Sequence, residues 1–239
     1  MHSFIVVRGD IISIIANIIA WGIIIFLAFR IYIKQDLKPK IWGILIVFIV
    51  GLFSFSFNFS IINQSLKLAL LPLGVWILAW VFKSRKAQWD LYRQYAWLGF
   101  FANYFLLLAS VLAIFLFQQI YVENKPTTYI SNIDHANIVP IHPTAKNVSI
   151  DKEKLQKYKY SLKLAEIRAE EWRLNTILNV ETNMRKEKFP YQLLGISSKW
   201  GSGIKTVIYV EKDGKGLLIS TPLHQYYFRS KHSFLKEGE

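Results

Sequence analysis

Long apolar stretches constrain this chain more than any other feature, because stretches of this length are typical of helices that cross a membrane. The first stretch, residues 11–33, has Arg30 as its only charged residue. A helix rises about 1.5 Å per residue, so this stretch would extend roughly 34 Å and cross a hydrocarbon core of about 30 Å. The stretches over residues 41–58 and 95–122 contain no charged residue. All three stretches predict transmembrane helices.

The remaining stretch, residues 66–82, is less regular because it contains Lys67 and Pro72. It predicts a transmembrane helix, with a re-entrant segment as the alternative. A secretory signal peptide at the start of the chain is disfavoured, because its apolar part would be only about 7–15 residues long. The sequence therefore predicts a membrane all-α bundle of four transmembrane helices over residues 1–122, with spans at about 11–33, 41–58, 66–82 and 95–122.

Basic residues predict the orientation, because short loops rich in Lys and Arg stay in the cytoplasm. Two of the loops between spans are basic and contain Lys34, Lys38 and Lys40, and Lys83, Arg85, Lys86 and Arg93. With both loops cytoplasmic and four crossings, the N-terminus and the C-terminal domain lie outside the cytoplasm. If residues 66–82 do not cross, the C-terminal domain lies in the cytoplasm instead.

The second half of the chain has the composition of a water-exposed domain. Residues 123–150 carry three prolines and predict a connector. Asp151 is a predicted N-cap for one long amphipathic helix over residues 151–178. After Pro190 the period changes to roughly two, so residues 191–196 and 204–211 predict strands. Asp213-Gly214 predicts a tight hairpin turn, after which residues 216–221 pair back as a strand and residues 226–229 add a short edge strand. The expected domain, residues 151–239, is a small α+β unit with the helix on a three- or four-stranded antiparallel sheet.

The sequence offers few groups for catalysis or metal binding. There are no cysteines, which excludes disulfides and thiolate chemistry. Asp134, His135 and His142 lack the local spacing of a zinc site. The loop over residues 197–203 has neither a nucleophile elbow nor a phosphate loop motif. We therefore expect no catalytic, cofactor-binding or metal-binding residues.

Two surfaces are candidates for a ligand or a partner. The first is the Trp-containing loop, with Lys199, Trp200, Gly201, Ser202 and Gly203. The second is the basic first half of the predicted long helix, with Lys152, Lys159 and Lys163. Lysines of this kind attract anionic lipid headgroups, wall polymers or an acidic protein face, and nucleic acid is not an expected partner outside the cytoplasm.

Few ionisable side chains fall within the predicted spans, which favours anchoring or docking over ion transport. The leading hypothesis is a multi-pass plasma-membrane protein without enzymatic activity, whose bundle contacts the lipid bilayer and a membrane partner and whose outer domain binds an envelope ligand. One alternative is an envelope enzyme whose site assembles from Asp134, His135, His142 and the loop over residues 197–203. Another is a small transporter or channel subunit using Asn17 and Asn103. The Ile- and Lys-rich composition is typical of a low-GC Gram-positive bacterium.

Overall fold

The computed structural model describes residues 9–61, 64–166 and 187–237. The chain divides into two compact units, Met1–Phe117 and Gln118–Glu239. The first unit contains most of the helical structure, and the second is built on β-sheet. The elements that begin in the first unit are α1 (Ile11–Lys34), α2 (Ile41–Gly51), β1 (Phe55–Ile61), β2 (Gln64–Leu71), α3 (Leu73–Val81) and α4 (Lys86–Ile120).

Among the described residues, α1 and α4 are the two helices long and apolar enough to cross a membrane. They contain 24 and 35 residues. Large apolar side chains of α1, such as Ile14, Ile18 and Phe26, are more than half exposed. Apolar side chains in this arrangement are unfavourable in water and favourable in hydrocarbon. The predicted helices over residues 11–33 and 95–122 are therefore confirmed as long apolar helices.

The predicted spans over residues 41–58 and 66–82 are wrong as continuous helices. Only 11 residues of the first are helical, in α2, and 9 residues of the second, in α3. At about 1.5 Å per residue these helices extend roughly 17 Å and 14 Å, which is too short to cross a hydrocarbon core of about 30 Å. Within the described residues there are thus two candidate spans instead of the four predicted.

An antiparallel β-hairpin, formed by β1 and β2, replaces the missing helical turns. Its residues alternate between an apolar and a polar face, as successive residues of a strand do. Phe57 pairs with Leu68 on the apolar face, whereas Asn58 pairs with Lys67 on the polar face. The alternation of Phe with Ser and Asn over residues 55–60 is a strand pattern. A count of apolar residues alone does not register that period.

Glycines allow α2, α3 and α4 to approach closely. A β-carbon added to Gly51 would meet the Ala96 carbonyl oxygen of α4, and one added to Gly99 would meet the Phe48 carbonyl oxygen of α2. A β-carbon on Gly74, near the start of α3, would overlap the Val50 carbonyl oxygen. Small residues at such positions are typical of helix packing in membranes, where close backbone approach replaces the hydrophobic effect.

Of the two asparagines in the long apolar helices, Asn103 bonds to another element of this unit and Asn17 bonds within its own helix. Asn103 on α4 donates from Nδ2 to the Leu52 carbonyl oxygen at the end of α2, at 3.2 Å. Tyr104 donates its hydroxyl to the Ala69 carbonyl oxygen of β2, at 2.7 Å. Asn17 bonds within α1, to the Ser13 carbonyl oxygen at 2.8 Å. The Asn103 side chain therefore joins α4 to the end of α2.

The second unit is built on a six-stranded antiparallel sheet, two strands larger than the upper limit of the prediction. The strand order is β3-β6-β7-β8-β9-β5. A separate two-stranded sheet pairs β4 with β10. The bounds are β3 (Asn137–Pro140), β4 (Val148–Ile150), α5 (Lys152–Tyr158), β5 (Lys163–Leu164), β6 (Tyr191–Leu194), β7 (Val207–Val210), β8 (Gly216–Ser220), β9 (Gln225–Arg229) and β10 (Leu235–Glu237).

The main core of this unit lies on one face of the large sheet. Alternate residues of the central strands, among them Ile208, Leu217 and Phe228, are buried there together with Leu155 of α5. The opposite face carries a smaller cluster of Phe189, Leu218 and Tyr227 and other partly buried side chains. Burial on both faces explains why β8 is apolar almost throughout its length.

The four strands predicted after residue 190 are confirmed, with ends shifted by a few residues. The predicted hairpin turn is also confirmed, since Gly214 has a φ of 68° and β7 pairs with β8. In the predicted connector, residues 126–128 form a 3₁₀ turn.

The predicted long helix over residues 151–178 is wrong over residues 159–166, because α5 ends at Tyr158. Asp151 is its N-cap as predicted and accepts from the Lys154 amide at 3.1 Å. Residues 163 and 164 pair with β9 as strand β5, because Leu162 and Phe228 belong to the same core. Residues 167–178 of the predicted helix lie outside the described residues.

Candidate anion-binding site

A cavity of about 500 Å³ opens in the second unit next to the last turn of α4. Its walls come from that turn, from the 3₁₀ turn and the chain after it, from the end of α5 and from the Trp-containing loop. The lining residues are Gln119, Ile120, Val122, Lys125, Thr127, Thr128, Ile130, Ser131, Lys159, Tyr160 and Lys199. We call this cavity the lysine pocket.

Lys159 is the most enclosed of the three lysines in the pocket. It is the C-cap residue of α5, and only 4% of its surface is exposed. Its ammonium donates to the Ser131 carbonyl oxygen at 3.3 Å and lies 5.3 Å from the centre of the Tyr160 ring. Lysine is almost never this buried unless an anion accompanies it. Within the described part of the chain, no carboxylate forms an ion pair with Lys159.

Lys199 enters the pocket from the Trp-containing loop. Its ammonium donates to the Ile120 carbonyl oxygen at 3.2 Å and lies 5.6 Å from the Tyr121 ring centre. Its backbone amide donates to the Thr128 carbonyl oxygen at 2.9 Å, which fixes the loop against the 3₁₀ turn. The C-terminal end of a helix carries partial negative charge, so a lysine is favourably placed there.

The pocket is positively charged and rich in hydrogen-bond donors. Lys125 adds a third ammonium, and no Asp or Glu is among the described lining residues. An ammonium has three donors, and the recorded hydrogen bonds of Lys159 and Lys199 each use one. The unused donors suit an oxyanion such as a phosphate or a carboxylate, because hydrogen bonds between charged groups are the stronger ones.

The Trp-containing loop lines a second, more open cavity of about 440 Å³. Its shape depends on Gly201 and Gly203, whose φ angles of 76° and 61° fall in the left-handed region that favours glycine. Tyr121 donates its hydroxyl to the Trp200 carbonyl oxygen at 2.9 Å. The Trp200 side chain itself is 80% exposed. The loop is thus fixed through its backbone while it presents an indole ring outward.

The serines of this loop are engaged in its structure. Ser198 donates its hydroxyl to the Ile204 carbonyl oxygen at 2.6 Å. The Ser202 hydroxyl oxygen accepts from the Ile204 amide at 3.3 Å, and Ser202 is buried. A nucleophilic serine needs a neighbouring base instead of such backbone partners. The described residues of the loop therefore show no activated hydroxyl.

The structure brings together some of the predicted site residues and separates others. Lys159 and Lys199, which belonged to two different predicted surfaces, both line the lysine pocket. The second cavity is lined by the predicted loop residues Lys199, Trp200, Gly201, Ser202 and Gly203. Lys152 and Lys163 line neither cavity. Lys152 donates to the Asp134 carbonyl oxygen at 2.6 Å, and Lys163 is part of β5.

Of the residues that line the lysine pocket, only Lys159 and Lys199 were predicted as site residues; those not predicted include Lys125 and Tyr160. The sequence predicts a connector at Lys125 and the interior of a long helix at Tyr160. Their contribution follows from the chain path of the second unit, because α5 ends just before Tyr160. A prediction that the helix ends at Tyr158 would have placed Tyr160 in the loop after it.

Asp134, His135 and His142 lie in the connector, within the part of the chain that the structure describes. Within the described residues, no three His, Asp or Glu side chains are placed to hold a metal ion. His142 bonds through Nδ1 to the Thr144 hydroxyl at 2.8 Å. The connector does meet the Trp-containing loop, because Asn132 and Ser197 form an isolated β-bridge. The bridge lies next to Ser131, a residue that lines the lysine pocket.

A buried charged cluster lies on the opposite face of the sheet, away from the main core. Glu211 accepts from the Tyr227 hydroxyl at 2.7 Å and from the Arg229 guanidinium. Burial, together with the hydrogen bond to Glu211, raises the pKa of Tyr227 to about 12. The hydrogen bond from Arg229 to Tyr227 and the nearby carboxylates raise the pKa of Arg229 further. The cluster therefore stays as a neutral tyrosine beside an ion pair at ordinary pH.

Comparison with known proteins adds no functional information: no protein-family model, curated protein or solved structure matches this chain.

Proposed function

We propose that this chain is a non-enzymatic membrane protein whose C-terminal unit binds an anionic envelope ligand in the lysine pocket, outside the cytoplasm. The observation that carries the proposal is Lys159, a buried lysine whose recorded partners are a carbonyl oxygen and an aromatic ring. Burying an ammonium without an anion is costly, and an anionic ligand would offset that cost. Lys199 and Lys125 increase the positive potential at the same place.

The membrane part of the proposal is supported by α1 and α4, the two helices of the described residues that are long enough to cross a membrane. The hairpin between α2 and α3 favours an even number of crossings. The Gly74 amide donates to the Phe53 carbonyl oxygen at 2.7 Å, so the chain leaves the end of α2 and enters α3 at neighbouring points. A hairpin whose two ends lie at neighbouring points crosses the membrane either twice or not at all. In both cases the two ends of the chain lie on the same side.

Labelling in intact cells tests the orientation, and the absence of native cysteines makes single-cysteine labelling free of background. We expect an impermeant maleimide to modify Lys212→Cys in intact cells and Lys86→Cys only after lysis. Both positions are exposed, and α4 separates them along the chain. The reverse pattern would place the C-terminal unit in the cytoplasm, and equal labelling of both sites would show that α4 does not cross.

Hydrogen exchange of the purified full-length protein tests the pocket. Glycerol phosphate, a soluble phosphate monoester, is expected to slow exchange in peptides covering residues 119–131 and 152–160, because a ligand protects the state that it binds. The double variant Lys159→Met/Lys199→Met should lose this protection, while Met retains a straight side chain of similar length. The matched control is Lys152→Met/Lys163→Met, which removes two exposed lysines outside the pocket. Equal protection in both variants would refute the anion site.

A further inference from the structure

We infer that the anion in the lysine pocket is the headgroup phosphate of an anionic membrane lipid, and that Trp200 inserts into the membrane interface beside it. This inference rests on the proposed function, because it names the ligand of the same pocket. Three features of the described residues support a lipid over a soluble anion: the position of the pocket along α4, its donor set, and the exposed indole next to it.

The position of the pocket follows from the sequence of α4. Residues 95–117 of this helix are apolar apart from Asn103 and Ser110, and at about 1.5 Å per residue they extend roughly 34 Å. This length matches a hydrocarbon core of about 30 Å. The helix then adds Gln118 and Gln119 and ends at Ile120. Gln119 and Ile120 are pocket residues, so the pocket begins where the helix reaches the headgroup level.

The donors of the pocket suit a single phosphate group. The ammonium groups of Lys159 and Lys199 each donate to one backbone carbonyl oxygen, and each has three N–H donors, so each can also donate to a phosphate oxygen. Basic pockets beside the end of a membrane helix attract anionic headgroups, because the ammonium groups are drawn to the negative charge of an anionic leaflet. A lipid phosphate would meet these donors without leaving the membrane surface.

Trp200 indicates the membrane as the source of the phosphate. Its side chain is 80% exposed, whereas its backbone is held by the Tyr121 hydroxyl just beyond the end of α4. Its neighbour Lys199 binds the Ile120 carbonyl oxygen. The indole is therefore held close to the end of a candidate span, the level at which tryptophan is enriched in membrane proteins. Tyr160, 74% exposed at the rim of the pocket, adds a second ring of the same kind.

Native mass spectrometry of the detergent-solubilised full-length protein tests the lipid. We expect retention of phosphatidylglycerol in preference to phosphatidylcholine, and retention at least about tenfold weaker in Lys159→Met/Lys199→Met, because charge-assisted hydrogen bonds are lost. The Lys152→Met/Lys163→Met control should retain the lipid as the unsubstituted protein does. Equal retention of both lipids, or equal retention by both double variants, would overturn the inference.

Fluorescence quenching tests the insertion of Trp200. The emission of Trp200 is obtained as the emission of the unsubstituted protein minus that of Trp200→Phe. We expect this emission to be weaker in vesicles whose phosphatidylglycerol carries bromine on its acyl chains than in vesicles without bromine. One outcome separates the lipid inference from the proposed function: glycerol phosphate protects the pocket, but phosphatidylglycerol is not retained and Trp200 is not quenched. The ligand is then a soluble anion, so the lipid inference fails and the proposed function stands. If neither ligand binds, both fail.

Discussion

Replacement of Gly74 by alanine is expected to destabilise the first unit by about 3 kcal/mol or more. A β-carbon at this position would overlap the Val50 carbonyl oxygen and lie against the Phe53 carbonyl oxygen. These are backbone atoms, which cannot rotate away as a flexible side chain can. Helix propensity alone would make the alanine variant more stable by about 1 kcal/mol. A loss of stability would therefore have to come from the close contact at Gly74.

Gly22→Ala is the matched control, because Gly22 lies in the middle of α1 and has nothing within 4 Å of an added β-carbon. Thermal unfolding in detergent, followed by tryptophan fluorescence, reports mainly on the first unit, where six of the eight tryptophans lie. We expect Gly22→Ala to unfold at the same temperature as the unsubstituted protein or slightly above it. Equal midpoints for the two alanine variants would show that α3 does not need its close approach to α2.

The apolar stretches of the first unit could be predicted from sequence, but not the way in which the chain folds them. Hydropathy identifies α1 and α4 because each is long and continuous. It fails over residues 41–82 because a helix and a strand with apolar side chains have similar composition, and only the period separates them. Phe57, Asn58 and Phe59 already show a period of two. Gly51, Gly74 and Gly99 carry the close packing, and their role depends on partners that are distant in sequence.

The second unit was easier to predict where local chemistry decides the structure. Asp151 caps a helix, and Asp213-Gly214 forms a hairpin turn, because each effect involves residues within a few positions. The end of α5 was not predictable in the same way. Apolar residues after Tyr158 continue a helical spacing, yet residues 163 and 164 pair with β9, so the tertiary sheet overrides local periodicity.

The lysine pocket shows the limit of sequence reasoning about function. Lys159 and Lys199 could be selected as basic residues near candidate surfaces. Their meeting at the end of α4 depends on the turn after α5 and on the bridge between Asn132 and Ser197. Burial of Lys159 distinguishes it from the exposed Lys152, and burial is a property of the folded chain. The residue types were therefore predictable, and the site was not.

Substitution of Glu211 by glutamine is expected to destabilise the second unit by about 2 kcal/mol, because it leaves Arg229 without its most buried partner. The Glu211 side chain is 10% exposed and that of Arg229 is 41% exposed, so partial solvation keeps the cost below that of a fully buried pair. Arg229 also reaches Asp213 at 2.5 Å, which moderates the loss. For a unit of roughly this size, the melting midpoint should fall by about 8–10 °C.

The matched control is Glu153→Gln, which removes an exposed carboxylate from the first turn of α5 in the same unit and should change the melting midpoint by no more than about 2 °C. The pH dependence gives an independent readout. The pKa of Tyr227 is raised to about 12 from its ordinary value of 10, so its contribution to stability is complete below pH 10 and is lost between pH 10 and pH 12. Tyr227→Phe should remove that part of the alkaline loss, because phenylalanine has no proton to release. If Tyr227→Phe follows the same alkaline profile as the unsubstituted protein, the tyrosine is not held in its neutral form by the fold, and the destabilisation by Glu211→Gln would have to arise from Arg229 alone.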